Sequence, residues 1–281
     1  MIEIVTDSTC DIPEPIAQSY KVTVIPAHLN IGQETYRDGV DISRQEFYQR
    51  LARERDLPRT SSPSPGAFIE VYRHLLGEAQ YIVSVHVAST LSGIYNTARL
   101  AAEQLAPERI LVVDSGQVTM GLGWPVLAAA EAVQSGEAVE GVLRAIQDTL
   151  ERVRVFAIFD TLEFLARGGR VNLIQLGLST LLKIKPMIEL TKGRILSLGR
   201  MRTWSKAANA LAERIVSLAP VEKLAVLHTN CLDCANDLRA CIRDVLPAIS
   251  AHSLTVEATT VIGTHVGPHA LGVAAVTARR E

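Results

Sequence analysis

Residues 81–93 read YIVSVHVASTLSG, and the order of residue types in this stretch decides the fold. Tyr81 to Val87 is a β-branched apolar run, the pattern of a strand buried on both faces. Ser89, Thr90, Ser92 and Gly93 break it, and residues 93–105 then return to helical spacing. A buried strand that leaves through a polar loop into a helix is half of a βαβ unit. The same alternation extends outward. Strands are expected at 2–5, 22–27 and 110–114, and helices at 43–54, 64–76 and 121–134. Ser64 is placed to cap the helix that begins at Pro65, where a missing N–H costs nothing. Asp114 to Gly116 ends its strand in a turn. The first half is therefore expected to be a three-layer unit, a mostly parallel sheet with helices on both faces.

From about residue 154 the texture changes. A strand at 154–160, a short helix stopped by Gly168-Gly169 and an apolar helix over 171–183 come first. A hairpin follows, turning at Lys192-Gly193. Trp204, Ala207, Ala208, Leu211, Ile215 and Leu218 recur at helical spacing. A strand at 223–229 and a helix at 233–245 lead to the uncharged stretch Ala258 to Ala278, read as two buried strands around a Gly/Pro turn. The expected architecture is α/β in two domains: residues 1–153, and an α+β unit over 154–281 with a partly antiparallel sheet. A ligand site between them is expected.

Composition narrows the function. With 28 Lys plus Arg against 30 Asp plus Glu, the chain lacks the basic excess that nucleic-acid backbones require. Aromatic residues are only 5%, so the core must be aliphatic and stacking platforms are few. Ala258 to Ala278 is long enough to span a bilayer, but its glycines, histidines and threonines make a poor spanning helix. The N-terminus lacks the pattern of a signal peptide. A cytoplasmic protein with no integral membrane segment is expected.

Familiar catalytic templates are missing. There is no G-x-x-x-x-G-K loop and no G-x-S-x-G elbow, and Gly121-x-Gly123 meets Val126 where a third glycine belongs. His228, Cys231, Cys234 and Cys241 supply four borderline or soft ligands, as a closed zinc site would need. Cys231 and Cys234 could alternatively form a redox pair. Cys234, Leu238 and Cys241 are also spaced as the buried face of a helix, and core packing is the expected role. No metal site is assigned.

Four stretches combine hydroxyls with glycine or proline near element ends: TDST at 6–9, TSSPSPG at 60–66, STLSG at 89–93 and GTHVGP at 263–268. Loops beyond the carboxyl ends of parallel strands are where open α/β sheets bind ligands. Hydroxyls and free N–H groups there can hold a carboxylate or phosphate. Each stretch could equally be capping a helix.

Taken in order, TDSTCD, TSSPSPGAF, STLSGIYNTA, VVDSGQVTMGLG, TLEFLARGGR and IGTHVGPHALGVA resemble the markers of the DegV family, over nearly the whole chain. Those are bacterial fatty-acid-binding proteins, some of them the acyl-carrying subunit of fatty acid kinase. The resemblance implies a long-chain fatty acid such as palmitate buried between two α/β domains. Thr60 and Ser92, with Ser61 and Gly93 beside them, would hold its carboxylate, and His265 would lie near the same head group. Arg170 would face the ATP-binding kinase partner. No catalytic residue and no cofactor other than the bound acid is implied. Two positions depart from the family pattern: His269 stands where a glycine is usual, and Ile94 where a threonine is usual.

The chemistry is coherent. Burying about fourteen methylenes contributes roughly 11 kcal/mol gross, at about 0.8 each. A buried carboxylate needs donors, and two hydroxyls and one imidazole nitrogen can supply them. The competing classes are a serine hydrolase or acyltransferase, with Ser92 as nucleophile and His265 as base, and a regulatory lipid sensor.

Overall fold

The computed structural model describes residues 1–51, 53, 57–170, 184–243, 249 and 253–279. The run at 81–93 does what its pattern predicts. β6 (Tyr81–His86) is buried along almost its whole length and lies between β1 (Ile2–Asp7) and β7 (Ile110–Asp114). β2 (Val22–Ile25) flanks β1, and every pairing in this sheet, ordered β2-β1-β6-β7, is parallel. α3 (Pro65–Leu75) starts as expected, with Ala67 N–H donating to Ser64 Oγ at 3.2 Å. It packs on α4 (Ile94–Leu105), which covers β6 and β7. Ile94 is buried core, which accounts for an apolar residue at that position.

The second sheet is mixed, ordered β10-β9-β8-β13-β11-β12. Its strands are β8 (Val153–Ile158), β9 (Lys185–Thr191), β10 (Arg194–Met201), β11 (Val221–His228), β12 (Leu254–Glu257) and β13 (Leu271–Thr277). Only β11 and β12 pair in parallel. The β9–β10 turn has φ of 46° at Lys192 and 71° at Gly193, the left-handed backbone that a tight hairpin favours. α8 (Trp204–Ser217) and α9 (Leu232–Arg243) cover one face of this sheet.

Between the two sheets runs α5 (Met120–Gln134), apolar on all sides as a doubly covered helix must be. It contacts β1 and β6 on one side and β8 and β13 on the other. Trp124 Nε1–H donates to the Ala274 carbonyl at 3.0 Å. The Gly121-x-Gly123 pair, a failed dinucleotide fingerprint, is explained by this packing. A Cβ on Gly121 would stand 2.5 Å from Val155 Cγ2, and one on Gly123 would stand 2.8 Å from the Cys10 carbonyl oxygen.

Several elements differ from expectation or were not foreseen. A small antiparallel sheet, β4-β3-β5, joins β3 (His28–Ile31), β4 (Glu34–Arg37) and β5 (Arg59–Ser61). It packs with α2 (Arg44–Leu51) around Leu29, Phe47 and Tyr48. α1 (Glu14–Ser19) and α6 (Val139–Arg152) lie outside the expected helices, and α7 (Glu163–Arg167) ends at Gly168 as expected. The helix expected over 171–183 lies outside the described residues.

The uncharged stretch from Ala258 is not a pair of strands. Thr260–Val266 is a helix, α10, and only Leu271–Thr277 is a strand. β-branched Thr260, Val261, Ile262 and Thr264 favour extended backbone in isolation. Two buried carboxylates override that preference by accepting the N–H groups of the N-cap and of the first helical residue. Thr259 N–H donates to Asp11 Oδ1 at 2.8 Å, and Thr260 N–H donates to Asp38 Oδ1 at 3.2 Å. His269 has a φ of 59°, so a side chain stands where glycine would be less strained.

The close approach of α5 to the first loop predicts that Gly123→Ala, which drives a methyl into backbone, lowers stability by about 1–3 kcal/mol. A shift of the urea midpoint at unchanged slope measures it; an unshifted midpoint contradicts the packing.

Candidate functional site

A cavity of about 160 Å³, as traced by the centre of a water-sized sphere, opens between the two sheets. Loops at the carboxyl ends of the parallel strands form one wall, carrying Thr9, Val87, Ser92 and Thr119. The opposite wall comes from the mixed sheet, through Val155 of β8, Ile188 and Leu190 of β9 and Ile195 of β10. α10 closes one end with Val261, Ile262, His265 and Val266. The lining is mostly aliphatic, as a chain with 5% aromatic residues would build it.

Polar groups gather at the α10 end. Thr60 Oγ1 and His265 Nε2 are 2.9 Å apart, although 205 residues separate them in sequence. Alternation along β5 sets this geometry: Thr60 turns inward while Arg59 and Ser61 face solvent. Burial, helped by the Arg170 charge, lowers the His265 pKa to about 4, so the ring is neutral at pH 7. A neutral ring that donates from Nε2 to Thr60 Oγ1 leaves the threonine O–H free to donate onward. Arg170 lies alongside, its guanidinium donating to the Gly168 carbonyl at 2.7 Å and to the Leu91 carbonyl at 3.4 Å. Ser92 lines the same cavity, with its Oγ accepting the Ile94 N–H at 3.3 Å.

Thus Thr60, Ser92, Arg170 and His265 share one cavity. Arg170, expected at a partner surface, is half-buried against the cavity wall. Ser61 and Gly93 do not line it. Ser61 is exposed, its Oγ accepting from Asn30 Nδ2 at 3.2 Å. Gly93 is exposed too, and a Cβ there would lie 3.2 Å from Ser62 Oγ, so its smallness lets the two hydroxyl loops approach. His269 is exposed and does not line the cavity.

Sequence reading missed what positions the site. Asp11 and Asp38 anchor the start of α10 and thereby place His265 against Thr60. Burial pushes the Asp11 carboxyl up to about 7, with the Arg44 charge opposing that rise. Asp11 closes the TDSTCD stretch, which is the one local signal; nothing local marks Asp38. A second hidden network runs beneath the cavity. Ser84 Oγ lies 2.7 Å from His86 Nε2, and His86 Nδ1 lies 2.9 Å from Asp7 Oδ2. This has the connectivity of a hydrolytic triad, yet all three side chains are sealed in the core. The Thr9 N–H and hydroxyl both donate to Asp7 Oδ1, which ties the network to the cavity wall.

The cysteine expectation needs correcting. Cys231 and Cys234 are joined as a disulfide, and Cys241 is exposed rather than on the buried face. Ala235, Leu238 and Ile242 form that face instead, because the helix is rotated from the assumed register. Among the described residues no cluster of His, Cys, Asp or Glu could hold a metal. No described helix is long and apolar enough to cross a membrane.

The depressed His265 pKa carries a pH signature. Between its ordinary 6.5 and about 4 the unfolded chain takes up the proton before the folded one. The ligand-free protein therefore loses stability as pH falls through that window. His265→Gln is expected to flatten this slope in denaturation curves; an unchanged slope would assign the loss to other groups.

A family model described as an uncharacterised protein of the DegV family matches residues 1–278. A DegV domain-containing protein of Streptomyces coelicolor is 36% identical, with 97% of each chain covered. One from Caldanaerobacter subterraneus is 34% identical, also over 97% of each. Among solved structures, a fatty-acid-binding DegV family protein from Thermus thermophilus matches with a TM-score of 0.88 at 32% identity, covering 99% of both chains. DegV from Bacillus subtilis, described as a fatty acid binding protein, matches at 0.90 and 27%, again over 99% of both. Matched from end to end in sequence and in fold, the chain belongs to the DegV family.

Proposed function

We propose that this protein binds a long-chain fatty acid in the cavity between a unit of residues 1–153 and a unit of residues 154–281. The observation that carries the reading is the polarity of the cavity. Its lining is mostly aliphatic, and within it Thr60 Oγ1 and His265 Nε2 lie 2.9 Å apart, with Ser92 and Arg170 in the same lining. An acyl chain placed along Val155, Ile188 and Leu190 gains roughly 0.8 kcal/mol per methylene removed from water. Its carboxylate would receive the Thr60 and Ser92 hydroxyls, with the Arg170 charge nearby to favour the ionised form. Family relatives from Thermus thermophilus and Bacillus subtilis described as fatty-acid-binding support this assignment.

The finer reading is that the protein presents the carboxyl end to a separate ATP-dependent fatty acid kinase in the cytoplasm, and does no chemistry itself. Two features support a carrier over a serine hydrolase. Ser92 Oγ takes the Ile94 N–H, and the His265 Nε2 that would serve as its base is engaged with Thr60. In this reading Arg170 would meet an incoming phosphoryl group.

Mass spectrometry of lipid released by denaturing the purified protein is expected to find a stoichiometric fatty acid. Finding none, together with no uptake of added palmitate or oleate, overturns the assignment. Thr60→Val combined with Ser92→Ala is expected to weaken palmitate binding by about 1–3 kcal/mol per lost donor. Unaltered affinity would remove both residues from the site.

A further inference from the structure

The fatty-acid reading leaves one chemically active group unused. Cys231-Leu232-Asp233-Cys234 sits where β11 passes into α9, and the two sulfurs are bonded with Cα atoms 5.4 Å apart. Cys231 stands just before the helix, its carbonyl accepting the Ala235 N–H at 3.2 Å. A thiolate there would be stabilised by the free N–H groups and dipole of a twelve-residue helix. Both cysteines are half-buried, so a partner thiol can reach them. The two remaining cysteines are a buried Cys10 and an exposed Cys241, neither of them bonded.

What the pair is attached to gives it consequence. Cys231 N–H donates to Nδ1 of His228 at 3.4 Å, and His228 lines the cavity. Between them, Thr229 is stitched to the segment that follows α10. Its hydroxyl donates to the Gly267 carbonyl at 2.7 Å and accepts the Ala270 N–H at 2.8 Å, while its carbonyl accepts the His269 N–H at 2.7 Å. Gly267 caps the end of the helix that carries His265, and Ala270 lies just beyond it. The disulfide thus pins one side of a short loop whose other side holds the head-group end of the cavity.

We propose that Cys231 and Cys234 are a redox-active pair, and that thiol–disulfide exchange with a dithiol protein of the thioredoxin class sets how firmly this wall of the cavity is held. One thiolate of the reductant attacks a sulfur of the pair, breaking the S–S bond and forming a mixed disulfide. Its second thiol resolves that intermediate. Two electrons and two protons pass to Cys231 and Cys234, and the reductant leaves as a disulfide. In the disulfide form Thr229 is held and the ligand leaves slowly; in the dithiol form the loop is freed and release is faster. The ligand half of this inference rests on the fatty-acid reading, whereas the loop half does not.

The test uses the full chain loaded with cis-parinaric acid, a fluorescent fatty acid, in the disulfide form and after reduction with dithiothreitol. Reduction is expected to speed dissociation by roughly 2- to 30-fold, the span of coupling between adjacent two-state elements. It is also expected to speed hydrogen exchange at the His269 and Ala270 amides. Cys231→Ser with Cys234→Ser should behave as the reduced protein and ignore dithiothreitol, while Cys241→Ser should respond as the wild type does. Equal exchange in both forms, or a double variant that still responds to reductant, overturns the proposal. Equal release rates with altered exchange remove the coupling to the ligand and overturn that half. Absence of parinaric acid binding in either form, with exchange still responding, removes the fatty-acid reading and supports the redox pair.

Discussion

Two buried carboxylates hold the α10 end of the cavity together. Asp11, at the end of the first loop, and Asp38, beyond β4, receive the leading N–H groups of α10 from 248 and 222 residues away. An anion at a helix N-terminus is favoured by the aligned peptide dipoles and by the unsatisfied donors there. In a buried setting that attraction is scarcely screened. It allows a β-branched segment to be helical, and helical geometry brings His265 round to Thr60. The raised pKa of Asp11 shows what the arrangement costs: a carboxyl drawn out of water and kept by its contacts.

The cavity follows from how the two sheets face each other. Parallel strands β1 and β6 end in loops on one side, and the mixed sheet offers the aliphatic faces of β8 and β9 on the other. α5 fills the rest of the space between them, which is why two of its glycines must lack side chains. The β9–β10 hairpin tip also ties the two sheets together. Gly193 N–H donates to the Gly116 carbonyl at 2.7 Å, and the Thr90 hydroxyl donates to the Gly193 carbonyl. A Cβ on Gly193 would fall 2.8 Å from Thr90 Oγ1, so the contact requires glycine both for space and for its φ of 71°. Apolar walls come cheaply from such packing, whereas the polar end had to be assembled residue by residue.

Sequence and structure part company where a side chain's role depends on a remote neighbour. Cys234 and Cys241 share a helical spacing, yet the rotation of α9 on β11 leaves Cys241 in solvent and ties Cys234 to Cys231. Ser61 sits in the same motif as Thr60, and the pleat of β5 sends it outward. Arg170 is expected to face a partner, but its guanidinium turns back to the Gly168 and Leu91 carbonyls and joins the cavity wall. In each case the local pattern is sound and the missing information is orientation.

Periodicity and punctuation along the chain were enough to determine the parallel sheet, the β9–β10 hairpin, most of the helices and the hydroxyl-rich loops that supply polar residues to the cavity. Those signals are local, because burial on one face or two leaves its period in neighbouring residues. Only the tertiary structure decided that Thr260–Val266 is a helix, that Asp11 and Asp38 anchor it, and which members of each motif turn inward. Such choices are made by partners more than two hundred residues away, whose carboxylates outweigh the weak intrinsic preference of a seven-residue segment.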